Sequence, residues 1–308
     1  MGKLYVVGFG PGGYEHMTAK CIDVINHADI ITGYTTYVEM LKEFFPDKNY
    51  LATPMMQEVK RCRMAVEEAM KDQTVAMVSS GDSGIYGMAG IIYQVAEEMN
   101  ADIEIETVPG VTAASAAASV LGAPLMHDFA VISLSDLMTP LDLIMKRVDC
   151  AGQGDMIVCL YNPKSKKRTG YVEQAAEILM KYRKPETPVG IVRHAGRKEE
   201  SKQITTLAEL KNAEIDMFSV VLIGNSQTYV SKGRMITPRG YALKYERCEM
   251  ERSEIEVSAH GNTGVNYEDS NRYKKKQTGL SADRFGAAAH RGGLPGGGDR
   301  NRGNVHQR

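Results

Sequence analysis

The chain has five cysteines in 308 residues, Cys21, Cys62, Cys150, Cys159 and Cys248, an odd number with no C-x-x-C pair. Neither a disulfide framework nor a zinc site is indicated, and all five are expected as free thiols. No apolar run is long enough to span a bilayer, and residues 1–20 lack the basic and apolar regions of a signal peptide. The expectation is a cytoplasmic protein with no membrane partner. A formal net charge of −1 removes any whole-chain attraction to nucleic acid. His127 and His194 each lack a second ligand at metal-site spacing, so no metal is expected, and no internal repeat is found.

What the chain does have is glycine at strand ends. Leu4 to Val7 reads as a short buried strand running into Gly8-Phe9-Gly10-Pro11-Gly12-Gly13. Glycines there let backbone N–H groups approach a ligand that a Cβ would hold away. A dinucleotide fingerprint is the first comparison, but Pro11 lacks an N–H where a pyrophosphate would need one. The next strand, Ile30 to Tyr34, ends without the acidic residue that holds a ribose. Two further strands end alike: Val75 to Ser79 leads into Ser80-Gly81-Asp82-Ser83-Gly84, and Ile103 to Val108 into Pro109-Gly110-Val111-Thr112. In an open parallel sheet such loops converge on one crevice beyond the strands' carboxyl ends. Asp82 also suits a helix N-cap.

Strands and helices alternate, which predicts an α/β fold with parallel sheets. Helices are expected over His16–Asn26, Tyr37–Phe45, Gln57–Met70, Ala113–Val120 and Tyr171–Tyr182. Later strands are expected over Ala130–Leu134, Asp155–Tyr161, Val189–Arg193 and Phe218–Gly224. Gly122 and Pro124 mark a boundary, giving α/β domains over 1–121 and 122–245. Residues 246–308 are rich in Gly, Asn, Ser, Arg and Glu, end in a Gly-rich run and are expected as a disordered tail.

The ordered set of motifs resembles the tetrapyrrole methylases. The first loop has that family's G-x-G-P-G form, and Gly81-Asp82 to Gly87 its G-D-x-x-x-x-G form. Four further segments, Gly122–Asp136, Tyr161–Arg168, Gly190–Arg197 and Val221–Ser226, are similar to the subgroup that methylates precorrin-3B or its cobalt-bearing counterpart at C17. The resemblance covers residues 1 to about 245. It implies two α/β domains with S-adenosyl-L-methionine between them, a tetrapyrrole substrate and a homodimer. By motif position it places Gly10, Pro11, Gly81, Asp82, Ile85, Thr112, Ala113, Tyr161, Asn162, Ala195 and Gly196 at the cofactor. A macrocycle with many carboxylates calls for counter-charges, and Lys164, Arg168, Arg193 and Arg197 stand at strand ends. His127, Asp136 and His194 are candidates for the proton transfers of ring contraction. Methylation at another tetrapyrrole position, and a non-catalytic tetrapyrrole-binding module, are the alternatives.

The tail reading has a direct consequence. Deleting residues 249–308 should leave the melting temperature unchanged, because a segment without apolar clusters has no core to contribute. A large drop in a thermal melt of the truncated chain would show that the tail is part of the fold.

Overall fold

A computed structural model describes residues 1–165 and 169–241. In chain order the first half runs β1 (Lys3–Gly8), α1 (Ala19–His27), β2 (Ile30–Tyr34), α2 (Thr35–Lys42), β3 (Asn49–Thr53), α3 (Glu58–Ala69), β4 (Thr74–Ser79), α4 (Ala89–Glu98), β5 (Glu104–Val108) and α5 (Ala113–Leu121). The second half runs β6 (Gly122–Ala123), β7 (Phe129–Ser133), α6 (Leu141–Gln153), β8 (Ile157–Tyr161), α7 (Tyr171–Leu179), β9 (Pro188–Arg193), β10 (Ser201–Thr206), β11 (Ser219–Ile223), β12 (Tyr229–Ser231) and β13 (Arg234–Ile236).

The first sheet has the order β3-β2-β4-β1-β5 and its pairs are parallel. β1 lies between β4 and β5, so the three glycine-rich loops leave neighbouring strands side by side. Leu4, Val6, Val7 and Phe9 are fully buried, as expected for a central strand covered on both faces. Helices α3 and α4 pack on one face with Cys62, Val66, Ile92 and Val95, while α1 and α2 cover the other with Cys21, Ile25 and Leu41. Thr18 starts α1 by accepting the Cys21 N–H at 3.1 Å, two residues later than the His16 start read from the apolar pattern.

The second sheet has the order β10-β9-β11-β8-β7. Only β7 and β8 pair in parallel; β11 is antiparallel to both β8 and β9, and β10 to β9. The uniformly parallel expectation is therefore corrected here. The physical reason is the short connection from Arg193 to Ser201: a tight loop joins antiparallel strands, whereas a parallel return needs a long crossover. β10 carries the mostly polar sequence Ser201-Lys202-Gln203-Ile204-Thr205-Thr206 on an exposed edge, which hid it from an apolar pattern. The small sheet β12-β13-β6 also had no such signal.

The alanine-rich α5 packs on the second sheet, its Ala114, Ala117 and Leu121 meeting Cys159, Val192 and Leu222. Small side chains permit this approach. A Cβ on Gly190 of β9 would lie 2.3 Å from Leu121 Cδ1. On the sheet's other face, α6 and α7 bury Ile144, Val148, Ala175 and Leu179. Cys21, Cys62 and Cys159 are free and buried, and burial pushes each thiol up to about 12. Cys248 and the tail over 246–308 lie outside the described residues. Among the described residues no helix is long and apolar enough to cross a membrane.

The loops meet backbone to backbone. A Cβ on Gly110 would stand 2.2 Å from Gly81 O and 2.5 Å from Gly8 O. Gly110→Ala should thus cost about 3 kcal/mol, the upper end of overpacking, since only main chain is there to yield. Gly90, in α4, has nothing within 4 Å of its Cβ position, and Gly90→Ala should add about 0.5 kcal/mol. Urea midpoints that move by the same amount in both variants would refute this difference.

Candidate functional site

The site begins where the loops after β1, β4 and β5 touch. Gly10 and Gly81 exchange backbone hydrogen bonds, Gly10 N to Gly81 O at 3.0 Å and Gly81 N to Gly10 O at 2.7 Å. Both take left-handed backbone, φ +82° and +73°, where a side chain is strained. Asp82 fixes the second and third loops together. Its Oδ1 accepts the N–H groups of Gly84 and Ile85 at 2.8 and 3.1 Å, and its Oδ2 accepts Gly110 N–H at 3.0 Å. The N-cap reading is corrected, because α4 starts seven residues later with Met88 at its cap. Asp82 shapes a loop instead.

The second sheet closes the site from its own strand ends. Tyr161 ends β8, and its hydroxyl accepts Ala114 N–H at 2.6 Å and lies 2.6 Å from Thr112 Oγ1, joining β8 to the start of α5. Burial holds this phenol above the ordinary tyrosine range. Asn162 follows in left-handed backbone, φ +50°, and its Nδ2 donates to Ser133 Oγ at 3.0 Å. After β9, Gly196 O accepts Gly13 N–H at 3.0 Å, and Gly12 packs so near that a Cβ would be 2.3 Å from Gly196 O. Ala195 is buried beside α5. Together these contacts bring Gly10, Pro11, Gly81, Asp82, Thr112, Ala113, Tyr161, Asn162 and Gly196 onto loops that touch one another. Ile85 is exposed next to Tyr86.

A cavity of about 880 Å³ opens beside the first loop, lined by Gly12, His16, Met40, Phe44, His194 and Phe218 among others. His194 takes left-handed backbone, φ +51°, and its ring stacks on Phe218 with centroids 4.9 Å apart. Arg197 also lines the cavity, but its Nε donates to Pro11 O at 3.0 Å and its Nη2 to Ser80 Oγ at 3.3 Å. It is a strap between the halves as well as a cation at the cavity. Arg193 is not the free counter-charge that its strand-end position suggests. Its guanidinium pairs with Glu214 at 3.2 Å and with Asp216 at 3.3 Å.

The remaining candidates fall elsewhere. His127 precedes β7, half exposed, with Asp128 4.0 Å away. Asp136 follows β7 and accepts the Tyr171 hydroxyl at 2.8 Å. Lys164 follows β8, and Arg168 lies outside the described residues. Among the described residues no three His, Cys, Asp or Glu side chains gather in a metal-binding cluster. Tyr86 and Ser133 were not singled out by the sequence, yet both reach across the site. The Tyr86 hydroxyl donates to Val131 O at 3.1 Å and accepts Ser133 N–H at 3.1 Å.

Comparison with known proteins identifies the family. Residues 3–211 match the family model described as Tetrapyrrole (Corrin/Porphyrin) Methylases. The chain belongs to this family. It is 48% identical over 240 residues to the "Probable cobalt-factor III C(17)-methyltransferase" of Salmonella typhimurium, covering 78% of this chain and all of that protein. It is 47% identical over 248 residues to the "Cobalt-factor III methyltransferase" of Priestia megaterium, covering 79% of this chain and 46% of that longer protein. The crystal structure of the methyltransferase CobJ superimposes with a TM-score of 0.71 at 33% identity, covering 77% of this chain and all of that one. The two-sheet α/β architecture is that of the family.

The Arg193 pairing is testable by pH. Burial tends to raise the Asp216 carboxyl, but the Ser219 hydroxyl, the Phe218 N–H, Arg193 and His194 together hold it below its ordinary 3.8. A carboxylate held low in the folded state contributes stability that is fully present above its unfolded value and disappears as pH falls through the folded one. Asp216→Asn should therefore melt below wild type at about pH 7, with the gap closing beneath about pH 4. A gap that stays constant across that range would show that Asp216 does not act through its charge.

Proposed function

We propose that the protein is an S-adenosylmethionine-dependent C-methyltransferase that methylates C17 of cobalt-factor III, with ring contraction, in cobalamin biosynthesis. The observation that carries this reading is the 48% identity that runs the whole length of the Salmonella protein of that name. The cobalt-bearing acceptor is preferred over precorrin-3B because both relatives at 47 and 48% identity carry cobalt-factor III in their names. The net charge of −1 gives no whole-chain attraction to nucleic acid, and no helix among the described residues is long and apolar enough to cross a membrane. The reading takes the enzyme as a cytoplasmic homodimer without nucleic-acid or membrane partners.

The described residues fit the cofactor. Gly81 leaves room, a Cβ there being no closer than 3.8 Å to Ala113 N, where α5 begins. The bound cofactor supplies an electrophilic methyl group. The chain's part is to hold that methyl and the accepting carbon in line, roughly 3 to 3.5 Å apart. Asp82 keeps two loops in shape for this, and Tyr161 ties α5 to β8. Arg197 at the cavity supplies positive charge for a substrate carboxylate. His194 lines that cavity and is the proton-transfer candidate best placed for substrate; Asp136 is the second and His127 the third.

Incubation with S-adenosylmethionine and each acceptor in turn, read by mass spectrometry, should give one added methyl and a contracted ring with cobalt-factor III. Methyl gain without contraction would overturn the C17 assignment, and transfer to neither acceptor would overturn the enzyme reading. Calorimetry should show S-adenosylhomocysteine binding and none of NAD, because Pro11 offers no N–H to a pyrophosphate. Asp82→Ala strips three backbone N–H groups of a charged acceptor and should weaken that binding at least about tenfold.

A further inference from the structure

The contacts among the loops that carry the cofactor motifs form a closed circuit. Asp82 binds Gly110 N–H of the third loop; that loop continues to Thr112 and Ala114, which bind the Tyr161 hydroxyl. Asn162, the next residue, binds Ser133 Oγ, and the Ser133 N–H binds the Tyr86 hydroxyl. Tyr86 follows Ile85, whose N–H returns to Asp82. The circuit crosses from the first sheet to the second twice, once at Tyr161 and once at Tyr86.

Tyr86 makes its crossing in an unusual way. β7 is an edge strand, so its outer N–H and C=O groups lack a neighbouring strand. A phenolic hydroxyl is both donor and acceptor, and that of Tyr86 serves Val131 O and Ser133 N–H together, as one residue of a further strand would. To reach there Tyr86 sits in left-handed backbone, φ +55°, which is uncommon for a bulky residue. Its ring stands 5.7 Å from that of Tyr161, tilted by 54°. Strain of this kind persists where surrounding contacts over-determine it, and here it lies in the loop that carries Asp82.

We infer that Tyr86 is a positioning residue that closes this hydrogen-bonded circuit, locking the Asp82 loop to the edge strand β7 of the second sheet, so that cofactor and tetrapyrrole bind with positive coupling. This rests on the methyltransferase reading. Ordering the circuit for one ligand leaves less to be ordered for the other, and the coupling is necessarily reciprocal.

The experiment is calorimetry of S-adenosylhomocysteine on the full chain, with and without saturating cobalt-factor III; the homocysteine product has no methyl to transfer, so nothing turns over. In wild type the acceptor should tighten binding at least about fivefold. Tyr86→Phe keeps the ring face but removes both bonds to β7, and should bring that ratio to about one while the melting temperature stays within about 2 °C. Ser133→Ala, which cuts the Asn162 link, should lower the ratio as well. Tyr93→Phe is the control: Tyr93 is also half exposed, and among the described residues its hydroxyl meets Thr107 Oγ1, 3.2 Å away and outside the circuit, so the ratio should hold. An unchanged ratio in Tyr86→Phe, or a wild-type ratio of one, overturns the inference while leaving the methyltransferase reading intact. Failure of wild type to bind S-adenosylhomocysteine at all would instead strike at that reading.

Discussion

Backbone contact among Gly8, Gly81 and Gly110 is the constraint on which the rest of the site depends. Three strand ends can be brought this close only where no Cβ intervenes, and each position fails sterically with even one added carbon atom except Gly81, where conformation decides. Where the loops touch, the buried amides of Gly10 and Gly81 must be satisfied locally. They are satisfied by bridging each other, and Asp82 spends both carboxylate oxygens on main chain. One carboxylate oxygen holds the turn at Gly84 and Ile85, and the other takes the Gly110 N–H across the loop contact.

The second sheet extends the same logic with different means. Its antiparallel β9–β10 connection is short enough to press Gly196 against Gly12 and to aim Arg197 at Pro11 and Ser80. A longer crossover, such as a parallel sheet requires, would place a helix there instead. Mixed strand direction is therefore part of how the site is built. Arg183 plays a comparable part at the opposite end of this sheet, where its buried guanidinium donates to the carbonyls of Gly224 and Met156. Burial pulls that guanidinium below its ordinary range, the Asp155 carboxylate opposes the shift, and main-chain oxygens accept its N–H groups.

Much of this was legible in the sequence because glycine, proline and buried aliphatic runs report backbone geometry directly. The loops after β1, β4 and β5, the small-residue helix α5, and the turns at Asn162 and Gly196 all carry such local marks. The edge strand β10 did not, since a polar strand on one exposed edge has no apolar period. Side-chain destinations were legible least. Arg193 leaves a buried strand as a substrate contact would, but the carboxylates that claim it, Glu214 and Asp216, arrive from a loop more than twenty residues later. Tyr86 escaped for the same reason: its partners, Val131 and Ser133, belong to a strand edge that only the assembled sheet defines.

A site assembled mainly from main-chain groups suits methyl transfer to carbon. Displacement at a sulfonium methyl releases a neutral thioether and develops no new anion that the protein must stabilise, so alignment contributes more than acid–base strength. Backbone amides locked by glycine contacts and by Asp82 have little freedom to drift, which is what alignment requires. Of the candidates for proton transfer, one lines the cavity beside the first glycine loop and one lies beside the second sheet. His194 is at the cavity wall and Asp136 beyond β7, hydrogen-bonded to Tyr171. Rigid main chain thus stands where geometry governs the rate.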